Sequence, residues 1–471
     1  MTLTRQIITL LLALGLGISG LPARSDLPRL QISPENPHFL ATVEGEPFFW
    51  LGDTAWMMIP SLSLEEANHY FADRAAKGFN IIQAVVLMEL SNRPKENAVG
   101  QRPFVNDDPA FPNEGYFAHM DAIVAAAADH GLRLAIIPCW GTFISPKGKR
   151  PMPDFFNPET VESYGRYLGN RYGHWSHVIW VIGGDIRPRF ESDTELWRLL
   201  AKGVTRGVTG GELDHSKTLM AFHPPGGTYR PPATSSGEFF HDEPWLDFNM
   251  IQSGHRFGNR NYERITEDWN RVPVRPTMES EPCYEDSHHM HKKDEARFND
   301  WHVRRRLYWS VFAGGAGATY GHGAVWGFFD PTDGKPDDRG FTTKRWQDAL
   351  NDPGAGQMKH LRALIESRPQ LLREPDQTLI AHQPESPDAH LLALRAKDGS
   401  YAMVYGGTGE PMTLNIGKLA KSDADRFRVS WFDPRTGRVT PTASVGTKSP
   451  QAFQPPSAQD EQDWVLILDR E

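Results

Sequence analysis

Eight short apolar stretches recur along the first three-quarters of this chain, and helix-patterned segments separate them. The stretches are Pro47–Trp56, Asn80–Val86, Leu134–Trp140, Val178–Asp185, Thr218–His223, Phe248–His255, Val274–Glu281 and Ala316–Gly323. Val178-Ile179-Trp180-Val181-Ile182 shows the type: β-branched, without a polar residue, and closed by Gly183-Gly184-Asp185. Such runs read as strands buried on both faces. The intervening segments carry helix punctuation. Ser63-Leu64-Glu65-Glu66 has the pattern of a capping box, Leu64, Ala67, Phe71 and Ala75 follow at helical spacing, and Gly78 stops the run. Asn157-Pro158 places a cap before a proline at the first helical position. Further helices are predicted from His119 to His130, Thr194 to Val204, Tyr262 to Asn270, Glu295 to Ala313 and Gln357 to Ser367. Strand, helix, strand implies parallel neighbours. Eight such units predict a closed (β/α)8 TIM barrel, and no Gly-rich dinucleotide fingerprint follows the first strand to favour an open sheet.

From about Leu371 the pattern changes. Leu379-Ile380, Leu391–Leu394, Tyr401–Tyr405, Thr413–Ile416, Phe427–Phe432 and Trp464–Leu468 read as short strands, and Asp398-Gly399 as a hairpin turn. No helix pattern intervenes, so a small antiparallel β-sandwich is expected. The N-terminus reads as a secretory leader: Arg5, an apolar run from Ile7 to Ile18, and Leu21-Pro22-Ala23 as the cleavage region. The run is short for a bilayer span. The predicted organisation is a leader over 1–23, a catalytic barrel over 27–370 and a β-sandwich over 371–471, exported to the periplasm or the extracellular space, with no membrane partner once processed. The net charge of −9 leaves no basic footprint for nucleic acid. Cys139 and Cys283 fall on the third and seventh strands, too far across a barrel for a disulfide. The composition implies no oligomeric state.

A parallel barrel gathers its chemistry at the C-terminal strand ends. Those ends supply Asp53 and Trp56, Trp140, Asp185, His223, Gln252 and His255, Glu281 with Tyr284 and Glu285 beyond it, and Tyr320 with His322. Carboxylates, hydrogen-bonding groups and rings together suit the grip and hydrolysis of a sugar. Glycosidic cleavage takes two carboxyl groups, about 5–5.5 Å apart in retaining enzymes and about 6.5–9.5 Å apart in inverting ones. Asp185 and Glu281 stand at facing parts of the mouth and are the expected pair. Strand alternation puts Glu279 on the same face as Glu281, with Glu281 nearer the mouth. Asp53 reads equally as a sugar ligand or as a cap for the turn after strand one. His223, Gln252 and His255 read as sugar contacts, with a structural histidine the alternative. Trp56, Trp140 and Tyr284 read as a stacking platform or as core. Glu285 reads as a support or a substrate ligand, and His322 as a substrate ligand. His288-His289-Met290-His291 lacks the partner glutamate of a His-Glu-x-x-His metal site and reads as a solvated loop. The mechanism requires no metal or cofactor.

Six motifs in order carry a resemblance: Phe49–Trp56, Gly78–Gln83, Val178–Asp185, His223-Pro224, Met250–His255 and Glu281-Pro282-Cys283-Tyr284-Glu285. Together they resemble the apiosidase-like glycoside hydrolases, family 140 and its relatives. Trp431–Gly437 resembles the small β-domain that family carries, named for collagen binding. The resemblance implies a secreted barrel glycosidase acting on a carbohydrate substrate, with Asp185 and Glu281 as the catalytic pair and release of apiose from pectic side chains as the activity. Glu279 and Pro188-Arg189-Phe190 depart from the family pattern. By analogy with barrels that carry the acid on strand four and the nucleophile on strand seven, Asp185 is expected as acid/base and Glu281 as nucleophile of a retaining enzyme. The alternatives are a glycosidase for a different sugar and a carbohydrate-binding protein without catalysis.

Overall fold

The computed structural model describes residues 27–88, 96–145, 155–226, 233–332, 342–459 and 461–471. The leader reading lies outside these residues. Among the described residues, no helix is long and apolar enough to cross a membrane.

Eight parallel strands close a barrel: β1 (Trp50–Thr54), β2 (Ile81–Leu87), β3 (Arg133–Cys139), β4 (Val178–Gly183), β5 (Met220–His223), β6 (Phe248–Gln252), β7 (Thr277–Glu281) and β8 (Gly317–Tyr320). Each pairs with the next, and β8 returns to β1 with Gly317 opposite Trp50 and Tyr320 opposite Asp53. The interior is filled rather than open. Trp50 lies across it, its indole N–H donating to Thr319 Oγ1 at 3.1 Å. Gly52 makes room for that ring: a Cβ there would sit 2.7 Å from both Trp50 Nε1 and Thr319 Oγ1.

The helices outside the barrel include α1 (Leu64–Ala76), α2 (Glu114–Asp129), α3 (Pro158–Tyr172), α4 (Glu191–Val208), α5 (Gly237–Phe240), α6 (Asn261–Trp269), α7 (Asp300–Phe312) and α8 (Pro353–Glu366). The Ser63 capping box opens α1, with Glu66 N–H donating to Ser63 Oγ and Ser63 N–H to Glu66 Oε2. Asn157 caps α3 ahead of Pro158. The helix expected from Glu295 begins only at Asp300, where Asn299 accepts from His302 N–H at 3.1 Å, because the residues before it form a hairpin. Between α3 and α4 the backbones touch. A Cβ on Gly169 would lie 2.2 Å from the Val204 carbonyl oxygen, and one on Gly203 would lie 2.2 Å from that of Glu162. Glycines four apart on facing helices permit this approach, a device familiar from membrane helices.

After the barrel comes a six-stranded antiparallel sheet: β9 (Arg373–Pro375), β10 (Leu391–Ala396), β11 (Tyr401–Gly406), β12 (Phe427–Phe432), β13 (Val439–Val445) and β14 (Trp464–Arg470), in the order β9-β10-β11-β14-β12-β13. A two-stranded ribbon, Met412–Leu414 with Gln451–Phe453, covers one face. Leu379-Ile380 is not a strand: Gln377–Leu379 is a short 3-10 turn, and Ile380 makes a single bridge to Leu414. β13 alternates Val439, Pro441, Ala443 and Val445 with Thr440, Thr442 and Ser444, but it is largely exposed and lacks the large apolar residues that mark its neighbours.

Strand alternation gives this sheet two apolar faces. Leu391, Ala393, Val404, Leu466 and Leu468 face the ribbon, whereas Leu392, Leu394, Met403, Tyr405, Val465 and Ile467 join Leu307, Tyr308 and Phe312 of α7. Arg304, also on α7, is buried against Asp463, with Nη2 to Oδ1 at 2.7 Å, and Tyr405 donates its hydroxyl to the same carboxylate at 3.0 Å. Trp301 and Trp309 donate their indole N–H groups to the carbonyls of Gly407 and His390. Barrel and sheet therefore share one core. Cys139 and Cys283 are both free and buried.

Removing one partner of a buried ion pair strands the other. Asp463→Ala is expected to lower unfolding free energy by about 3–5 kcal/mol in urea titrations. Gly169→Ala must push α3 and α4 apart and is expected to cost about 1–3 kcal/mol by the same assay.

Candidate active site

The site is built on a break in strand regularity. Along β6 and β7, Ile251 pairs with Glu279 but Gln252 pairs with Glu281, so Ser280 is an extra residue on β7. A bulge of this kind re-aims the side chains that follow it. The bulge is pinned from both sides: Ser280 donates its hydroxyl to the Ile251 carbonyl, and Gln83 donates its amide to the Ser280 carbonyl, each at 2.8 Å. Glu279 therefore points out of the barrel, where its carboxylate accepts from Ser253 N–H at 3.1 Å and Asn261 Nδ2 at 2.9 Å. Burial pushes the Glu279 carboxyl up. Glu281 points into the mouth. The expectation that the two share a face is thus corrected by one inserted residue.

Glu281 sits between two imidazoles. His223 Nε2, at the end of β5, is 3.3 Å from Oε2, and His255 Nε2 is 3.6 Å from Oε1. His255 Nδ1 accepts from Tyr284 N–H at 3.4 Å, which leaves the Nε2 proton to face the carboxylate. Burial on its own pushes the Glu281 carboxyl up, but the two adjacent imidazoles outweigh it and hold the group well below the usual carboxylate range. The Tyr284 phenol goes the other way. Burial and the neighbouring Glu281 charge push it well above its usual value, so it keeps its proton. Its oxygen accepts from the Trp56 indole N–H at 2.9 Å. The Trp56 ring stands edge-on to His223 at 5.1 Å and tilted to Trp140 at 5.6 Å. Trp56, Trp140, His223, His255, Tyr284 and Glu281 are therefore one contiguous wall.

Asp185 approaches from β4 on an unusual backbone. Gly183, Gly184 and Asp185 all have positive φ, at 93°, 144° and 57°. Side chains at the two glycines would collide. A Cβ on Gly183 would be 2.6 Å from the His223 carbonyl oxygen, and one on Gly184 would be 2.8 Å from Gly141 N. A left-handed aspartate is tolerated but uncommon, and strain of this sort gathers at functional sites. Its Oδ1 accepts from Gly226 N–H at 3.1 Å. Gln252 flanks the same glycine, with Nε2 3.2 Å from where a Gly226 Cβ would stand. Through its pairing with Glu281, Gln252 links the neighbourhoods of the two carboxylates.

Three other sequence candidates lie elsewhere. Asp53 alternates outward from Thr54 and is fully buried under α1, accepting from Tyr70 Oη and Arg74 Nε at 2.5 Å each. Glu285 accepts from Tyr320 Oη and from Gly354 N–H in the first turn of α8, so it anchors that helix. His322 is fully buried, 2.8 Å from Asp352 Oδ2, with its Nδ1 accepting from Ala324 N–H. None of the three joins the Glu281 wall, since each is held by the outer layer of the barrel. Asp286, His322 and Asp352 bring donor atoms within 4.8 Å of one another, a spacing that suits a metal. Lys344 Nζ already lies 2.7 Å from Asp352 and Arg297 Nη1 3.1 Å from Asp286, so cations of the chain itself neutralise the group.

Residues 34–371 match the family described as "Apiosidase-like, catalytic domain". The chain belongs to the apiosidase-like family. The resemblance carried by the six motifs is borne out across the whole barrel. Residues 375–469 match the family described as "Putative collagen-binding domain of a collagenase". Among solved structures, one described as a glycoside hydrolase is 33% identical, with 94% of this chain and 97% of that chain covered and a TM-score of 0.83. Another, described as a glycoside hydrolase family 5 from Bacteroides vulgatus ATCC 8482, is 33% identical over 94% of this chain and 93% of that chain, with a TM-score of 0.81. No curated protein matches the chain. Family and fold make this chain a glycoside hydrolase on a closed parallel barrel.

An imidazole beside Glu281 lowers its pKa, so removing one raises it. In His223→Ala, Glu281 is protonated at higher pH, and the acid limb of kcat/KM is expected to move up by roughly 1–3 pH units. An unmoved limb in a pH–rate profile would show that Glu281 does not set it.

Proposed function

We propose that this glycoside hydrolase cleaves a pectic glycoside of the plant cell wall, releasing apiose, by a retaining two-carboxylate mechanism. The observation that carries the roles is the environment of Glu281. A nucleophile must stay ionised, and the carboxylate between His223 and His255 is held in that form. Asp185, half-buried on its glycine turn beside the Gly226 amide, serves as acid/base.

In the first step a Glu281 oxygen attacks the anomeric carbon. The glycosidic C–O bond breaks, and Asp185 gives its proton to the departing oxygen. The result is a glycosyl ester on Glu281. In the second step Asp185 takes a proton from water, the water oxygen bonds the anomeric carbon, and the ester bond returns its electron pair to Glu281. Tyr284, protonated and fixed by Trp56, stands beside the nucleophile. Trp56 and Trp140 offer ring faces and edges to the sugar, and Gln252 an amide. We read the protein as exported to the periplasm or beyond on the strength of its leader sequence, which suits a polymeric wall substrate.

Asp185→Ala and Glu281→Ala are expected to lose about 10²–10⁴-fold or more in kcat on 4-nitrophenyl apiofuranoside while remaining folded by circular dichroism. Proton NMR of the first-formed sugar is expected to show the anomer of the substrate. The opposite anomer would overturn the retaining assignment, and near wild-type turnover in both variants would overturn the residues.

A further inference from the structure

The His288-His289-Met290-His291 run reads in sequence as a solvated loop, yet it is part of a hairpin that reaches the site. The hairpin is closed by backbone bonds from Asp286 N to Phe298 O, Phe298 N to Ser287 O and His289 N to Ala296 O, at 2.8, 3.0 and 2.9 Å. Its first two histidines hold it together. His288 Nδ1 lies 2.7 Å from the Glu295 carbonyl, and the His289 ring stacks on Phe257 at 4.9 Å.

The next two residues are different. Met290 and His291 both adopt the left-handed conformation, with φ of 54° and 55°. Non-glycine side chains avoid that region, and two in succession persist only where surrounding contacts impose them. The contact here is Met290 N–H donating to the His255 carbonyl at 2.6 Å. It ties the hairpin tip to the strand end that carries His255. The His291 ring then lies 4.1 Å from the His255 ring, tilted by 49°. His255 is buried and faces Glu281, whereas His291 is exposed. His291 is therefore the solvent-facing ring of the wall, one imidazole removed from the carboxylate.

We propose that His291 is a substrate-binding residue whose imidazole edge hydrogen-bonds a ring hydroxyl of the sugar seated against Glu281. This rests on reading the site as that of a glycosidase. One ring nitrogen at the exposed edge is enough to meet a sugar hydroxyl, which can both donate and accept. The pinned hairpin fixes the ring before substrate arrives, so little side-chain entropy is lost on binding. His291 thus selects which sugar the site accepts, while His255 behind it serves Glu281.

The test compares His291→Ala and His291→Asn with the intact chain on 4-nitrophenyl apiofuranoside. His291→Ala is expected to raise KM about tenfold, the worth of one hydrogen bond, with kcat within about threefold and an unchanged melting temperature. His291→Asn keeps a donor and an acceptor and is expected to restore most of the lost affinity. An unchanged KM in His291→Ala would overturn the proposal. So would a fall in kcat at constant KM, which would mean that the ring acts through His255 on Glu281. If the intact chain turns over no apiofuranoside, the reading of the reaction fails separately. Imidazole NMR of the 15N-labelled chain with free apiose then decides the proposal: a shift of the His291 resonances upholds it, and their constancy overturns it.

Discussion

The pairing of β6 with β7 closes the barrel, and one extra residue in that pairing gives the site its polarity. Without Ser280 as a bulge, Glu279 and Glu281 would share a face, and two carboxylates would crowd one another. With it, they take opposite jobs. Glu279 turns outward to brace α6, and Glu281 turns inward to meet His223 and His255. Both are buried, but only Glu281 has imidazoles beside it. Burial therefore governs Glu279, and the histidines govern Glu281.

The opposite carboxylate is brought in by a turn of unusual backbone. Gly183 and Gly184 let β4 leave the sheet under the shelf formed by Gly141 and Trp140, so Asp185 arrives at an angle that a regular strand end would not give. The two halves of the site are built on different principles. One is an electrostatic cradle around a fixed oxygen pair, and the other is a sharp turn that delivers a carboxylate to a backbone amide. This division suits the roles proposed for the two, since an acid/base exchanges protons twice in each cycle and a nucleophile must stay ionised.

The barrel was legible because its strands are apolar, helices such as α1 and α3 carry explicit caps, and several turns end in glycine. Asp185, Glu281, His223 and His255 were legible as strand-end residues. Asp53, Glu285 and His322 occupy equally prominent places but lie in the outer layer, because alternation along β1 turns Asp53 toward Arg74, and the start of α8 captures Glu285. Whether a polar residue past a strand end faces the axis depends on partners far away in sequence, which no local pattern records. The Ser280 bulge leaves no mark on composition. The His291 tip was hidden for a related reason: its left-handed backbone is imposed by the His255 carbonyl, not by glycine or asparagine. The β13 strand alternates, but with small residues, Thr, Ser and Pro on a largely exposed edge, so it lacks the bulky apolar face that betrays its neighbours.

The sheet that follows the barrel has an order unlike its order in the chain. Residues 464–470 form β14, which lies between β11 and β12, in the middle rather than at an edge. Asp463, the residue before it, neutralises the buried Arg304 of α7. A ribosome delivers these residues long after it has delivered α7 and the barrel. Until they arrive, β11 and β12 have no common partner, and Arg304 has only Asp300 of its own helix and Gln357 beside it. Synthesis and completion therefore run in opposite directions: the barrel is made first but is sealed by what is made late.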